Sequence, residues 1–93
     1  MKDSDFLKDS KSLLKNISKQ RTWLLSHNKS HIANTFASQE IRNLEYAIST
    51  IKDAESMKDY LLRKHQTLSI LISSRNKSCR NKLHQLIHSE VSN

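Results

Sequence analysis

The sequence predicts an all-α fold, an antiparallel helical bundle or coiled coil of three helices at about 3–27, 38–73 and 78–91. Three observations carry this. The chain of 93 residues has no Gly and no Pro, the residues that tight hairpins need and that helix interiors tolerate worst. Its first 27 residues present one apolar face. Residues 44–72 present a second stripe, with apolar positions alternating by three and four as in a supercoiled helix.

The first helix can be capped by Asp3 or Ser4, with Asp5 in the first turn, where negative charge meets the helix dipole favourably. At about 100° per residue, Phe6, Leu7, Leu13, Leu14, Ile17, Leu24 and Leu25 fall within about 120° of one another. Ser10, Arg21 and Asn28 interrupt that face. Burying each such apolar side chain is worth roughly 1.5–3 kcal/mol, so the stripe holds this helix more than intrinsic propensity does. Lys8, Lys11, Lys15 and Lys19 share a second arc of about 80°, with Lys29 in line if the helix reaches it. A row of like charge is ordinarily a solvated face. It is also the form of a docking strip for an acidic partner, a nucleic-acid backbone or an anionic surface.

Ser26–His31 is the clearest break, and its S-x-N-K-S pattern recurs at Ser74–Ser78. Asn and Ser compete for backbone hydrogen bonds and so replace Gly in these turns. Ser38 then caps a long middle helix, with Glu40 in its first turn. Its stripe runs Leu44, Ala47, Ile51, Ala54, Lys58, Leu61, His65, Leu68 and Ile72. Lys58 and His65 are the weak points. The alternative is a compact three-helix bundle broken near 53–56, because Asp53 or Ser56 could each cap a new helix. Against the break, the stripe crosses that region without a slip, and Asp59–Arg63 and Glu55–Lys58 are spaced as helical ion pairs. One helix over 38–73 is therefore expected, roughly 54 Å long at 1.5 Å per residue. Cys79, Leu83, Leu86, Ile87 and Val91 form the apolar side of the last, shorter helix.

Length and composition allow a single domain, residues 1–93, with a narrow core of Leu and Ile; 35% of residues are hydrophobic and five are aromatic. One cysteine excludes an internal disulfide and hence a stapled secreted scaffold. No apolar run approaches the ~18 residues of a membrane span. The acidic, non-apolar N-terminus is not a signal peptide, so a cytoplasmic protein is expected; small effectors exported without a cleaved signal would read the same. The net charge of +7 is uneven. Residues 1–31 hold seven Lys/Arg against three Asp, residues 32–62 three against five Asp/Glu, and residues 63–93 six against one Glu. An acidic middle between basic flanks suits antiparallel pairing weakly.

Candidate chemistry is sparse. His27/His31 and His84/His88 are spaced i,i+4, as zinc chelation on a helix requires, but the second pair lacks the Glu that a metalloprotease HExxH motif uses as base. Ordinary surface histidines are expected. His65, on the stripe, reads as a partly buried core histidine, or as a pH-sensitive register residue. Cys79 reads as a core filler without an adjacent base. No Gly-rich phosphate loop exists. No catalytic residue, metal or cofactor is therefore expected, and the chain reads as a non-enzyme.

The leading expectation is a protein–protein interaction module, such as an adaptor, chaperone or regulatory subunit. It would complete a bundle or coiled coil with another helical protein or a second copy of itself. The contact residues would be the exposed stripe at Leu61, Leu68 and Ile72, plus Trp23, which lies off the first helix's apolar arc. The more ordinary reading of Trp23 is a rim residue covering the edge of the bundle, since Trp is seldom fully buried. The rival class is a nucleic-acid-associated factor. It would act through Lys8, Lys11, Lys15 and Lys19 and the dense cluster of Arg75, Lys77, Arg80 and Lys82, although no aromatic residue interleaves with that cluster in sequence.

Overall fold

The computed structural model describes residues 2–27 and 31–91. Among the described residues all regular structure is α-helical, in five helices: α1 Asp3–His27, α2 His31–Thr50, α3 Ala54–Arg63, α4 His65–Leu71 and α5 Lys77–Ile87. The all-α expectation holds and the count of three helices does not. The centre of the Ser26–His31 turn, the His27/His31 side-chain pair and Lys29 lie outside the described residues.

α1 forms over the expected range, with Asp3 and Asp5 in its first turn. It is the spine of the fold, since it packs against each of the other four helices. The described chain measures 45 × 26 × 18 Å, and the short axis is about two helix diameters deep, so the core is one seam between two layers.

The expected middle helix is three separate pieces, α2, α3 and α4, and the first begins at His31 rather than Ser38. It ends near Thr50 for a local chemical reason. The hydroxyls of Ser49 and Thr50 both donate to the Tyr46 carbonyl, at 2.9 and 2.8 Å, where they compete with the helical ladder. Three residues further on, Asp53 adopts extended φ/ψ and its carboxylate accepts the Ser56 N–H at 2.9 Å. This N-cap satisfies one of the orphan donors of α3. Hydrogen bonds from Ser56, side chain and then backbone, hold the Asp53 carboxyl below its ordinary range. The break expected only as the alternative is thus real, at residues 51–53, with Asp53 rather than Ser56 as cap.

A second, smaller interruption falls at Lys64, which ends α3 and begins α4. Its N–H still reaches the Tyr60 carbonyl (2.9 Å) and its carbonyl accepts from Leu68 (2.8 Å), so the chain bends there rather than reversing. His65, expected in the core, is exposed just past the bend. The repeated S-x-N-K-S pattern gives the end of a turn over residues 72–76, and its Lys77 and Ser78 open α5. There Asn76 caps α5 by accepting the Cys79 N–H at 3.0 Å. α5 starts one residue earlier than expected and ends at Ile87 rather than 91.

The core gathers Phe6, Leu13, Leu14 and Ile17 of α1 with Leu44 of α2, Met57 and Leu61 of α3, Leu68 and Leu71 of α4, and Leu83 and Leu86 of α5. Lys58 is only half-buried. Its ammonium donates to the backbone carbonyls of Leu86 (3.1 Å), Ile87 and Ser89 (2.5 Å), at the end of α5. Desolvation there pulls its pKa below the ordinary amine value.

Ser10 is fully buried on the apolar face of α1, and its hydroxyl has no hydrogen-bond partner among the described residues. An unpartnered buried hydroxyl is costly, and Ala is the better helix former. Ser10→Ala is therefore expected to stabilise the chain by about 1 kcal/mol, a rise in melting temperature of roughly 4–8 °C for a domain this size. A lower melting temperature for the variant would show that the hydroxyl has a partner in solution.

Candidate functional site

Two grooves lie in line along the seam where α1 meets α5. The first, of about 650 Å³, is lined by Asp9, Ser12, Leu13 and Asn16 of α1 and by Ser78, Cys79, Asn81, Lys82 and Gln85 of α5. The second, of about 450 Å³, is lined by Gln20, Trp23 and Leu24 of α1 and by Ser73, Arg75 and Asn76 of the turn leading into α5. From Asp9 to Leu24 the seam runs about 22 Å at 1.5 Å per residue.

Gln20 stands between the two grooves. Its amide N–H donates to the Cys79 sulfur at 3.6 Å, and its carbonyl accepts from the Ser73 N–H and the Asn76 amide at 3.4 and 3.5 Å. These long contacts fasten the α4–α5 turn onto α1 and thereby hold Arg75 across from Trp23. Burial pushes the Cys79 thiol up, with the Gln20 hydrogen bond opposing. A raised thiol pKa works against the thiolate that a nucleophile needs.

Arg75 and Lys82 are the cations that line these two grooves. Lys8, Lys15 and Lys19 are exposed on α1 and Lys11 is half-buried; Arg75, Lys77 and Arg80 are exposed around the start of α5. Lys82 meets Asp9 at 3.3 Å, so the carboxylate lining the first groove already has a cationic partner. Lys15 and Lys19 line a different groove, of about 460 Å³, toward Glu45 and Ile48 of α2, where the Ser18 hydroxyl donates to Glu45 at 3.2 Å.

The expected contact residues divide sharply. Trp23 is 60% exposed, whereas Leu61, Leu68 and Ile72 are at most 3% exposed. The expectation that these three form an open stripe is corrected, because the break at 51–53 folds α3 and α4 back onto α1, and the stripe closes on the chain's own core. Trp23 and Arg75, by contrast, are brought to one groove although they are far apart in sequence. Gln20, Asn16 and the Asp9–Lys82 pair escaped sequence reading. Ser12/Asn16 at i,i+4 and Ser78/Asn81/Gln85 at i,i+3,i+7 are the signal that could have found the polar floor.

His84 and His88 are exposed, with ring centroids 4.3 Å apart in an edge arrangement. Among the described residues no group of three or more His, Cys, Asp or Glu side chains is placed to hold a metal, and no helix is long and apolar enough to cross a membrane. The chain matches no protein family, no curated protein and no solved structure.

Proposed function

We propose that this chain is a small non-catalytic binding module whose binding face is the α1–α5 seam. Its ligand is anionic and extended, with one planar or apolar group seated against Trp23. The observation that carries this reading is the shared groove of Trp23 and Arg75. Trp and Arg are the side chains most enriched where binding energy concentrates, because each combines a large contact surface with a polar handle. Completion of a bundle by a partner helix or a second copy draws instead on Leu61, Leu68 and Ile72, which the fold has already buried.

Trp23 is the sole tryptophan, so its emission reports on the seam directly. Heparin, as a generic polyanion, is expected to shift that emission. Arg75→Glu should weaken heparin binding severalfold, and Trp23→Ala should leave the thermal stability within about 0.5 kcal/mol of wild type, as for other exposed positions. Heparin binding with no change in Trp23 emission would move the binding face elsewhere. A large loss of stability in Trp23→Ala would make Trp23 a structural residue.

A further inference from the structure

We infer that His84 and His88 form a two-imidazole site for a divalent transition-metal ion. The site is independent of the seam, whose grooves neither residue lines. The two residues lie one turn apart at the end of α5 and its C-cap, both exposed, with ring centroids 4.3 Å apart. Among the described residues neither imidazole makes a hydrogen bond, so their nitrogens are open to a ligand. Two nitrogens on one ion, each at about 2.0–2.1 Å, stand at most about 4 Å apart. Side chains at i,i+4 on a helix, with Cβ atoms about 5–6 Å apart, reach that separation by rotating about their own bonds.

Imidazole nitrogen suits Cu2+, Ni2+ and Zn2+, with Cu2+ the tightest, whereas Ca2+ and Mg2+ take oxygen ligands. The two rings fill two coordination positions and water fills the rest, because no third His, Cys, Asp or Glu joins them among the described residues. Of the charges nearest along the chain, Lys82 is paired with Asp9, and Arg80 and Glu90 are exposed and opposite in sign. Without the Glu of an HExxH motif, the pair holds an ion but supplies no base for hydrolysis. Its position gives binding a structural consequence. The His88 N–H closes the last turn onto the His84 carbonyl at 3.2 Å, and an ion held by both rings spans that same turn and opposes its fraying.

The test is titration of the isotope-labelled full chain with ZnCl2 and with CuCl2 in a non-chelating buffer, read residue by residue by NMR. This readout separates binding at α5 from binding at His27 and His31, the other i,i+4 pair in the sequence. Cu2+ is expected to broaden the amide signals around His84 and His88, and saturating Zn2+ to slow amide exchange at His88. His84→Ala and His88→Ala should each weaken Zn2+ binding at the α5 signals by at least about 10-fold, because the second Zn–N bond of a chelate forms intramolecularly. Both positions are exposed, so each metal-free variant should keep the wild-type helix content. His65→Ala, which removes an exposed histidine with no histidine one turn away, should leave the α5 response as in wild type. No response of the α5 signals to either ion overturns the inference. So does a His84→Ala or His88→Ala variant that binds as tightly as wild type, since one imidazole then suffices and no chelate exists.

Discussion

Replacing Leu61 by Ala is expected to destabilise the isolated chain by about 2–5 kcal/mol, in urea or thermal unfolding. Leu61 is fully buried in the single core cluster. The substitution loses the transfer energy of its side chain and leaves a cavity that close-packed neighbours fill only partly. A 93-residue domain has about 5–14 kcal/mol of stability in all at 0.05–0.15 kcal/mol per residue, so this one change removes a large share of it. The neighbouring Leu62 is 52% exposed, and Leu62→Ala is expected to stay within about 0.5 kcal/mol of wild type. The contrast between two adjacent leucines tests whether the stripe is closed. If it were open for a partner, both substitutions would leave the lone chain's stability almost unchanged.

The same stripe shows what could and could not be read from sequence. α1 was legible in full, because twenty-five consecutive residues hold one apolar face against a charged one. The break at 51–53 was hidden by the feature that seemed to deny it. Ala47, Ile51 and Ala54 keep the three-and-four spacing across the break because all three turn toward the core: Ala47 and Ala54 are buried, and Ile51 is half-buried against the core cluster. Apolar spacing records which residues face inward, and it does not record whether the backbone between them is helical. The local signal lay instead in Ser49, Thr50 and Asp53, whose side chains compete for backbone groups and stop one helix and start the next. The start of α2 at His31 was masked by a Ser38 that looks like a cap and sits inside a helix.

The candidate site was legible only as parts. The lysine row and the Arg75–Lys82 cluster follow from composition, and Trp23 stands out by lying off its helix's apolar arc. The meeting of Trp23 with Arg75 does not follow from any local pattern. It depends on α4, α5 and the turn between them returning along α1, which Gln20 secures through contacts to Cys79, Ser73 and Asn76. A mid-helix Gln among lysines carries no local mark of such a role.

Lys58 gives the other large effect, and its explanation is electrostatic where that of Leu61 is packing. A lysine on an apolar stripe is costly unless its head group is paired. Here the head group reaches the backbone carbonyls of Leu86, Ile87 and Ser89. These belong to the end of α5, where carbonyls have no intrahelical donor and the helix dipole is negative. Its ammonium also lies over the Phe6 ring, 5.9 Å from the centroid, and the half-buried side chain combines apolar cover with a cationic cap. Lys58→Met keeps most of the cover and removes the donors. It is expected to cost about 1–3 kcal/mol, since hydrogen bonds from a charged group are worth more than neutral ones but these carbonyls can recover some water. Lys58→Ala should cost more than Lys58→Met, the difference measuring the lost stem. Amide exchange in Lys58→Met should speed up at His88 and Ser89, whose N–H groups close the last turn onto His84 and Leu86, before it speeds up at Leu83. Because desolvation lowers the folded-state pKa of Lys58, the folded chain releases this proton at lower pH than the unfolded chain. The wild type should therefore gain stability relative to Lys58→Met as pH rises through the window below 10.5. A flat difference across that window would mean that the three carbonyls offset the desolvation of the ammonium completely.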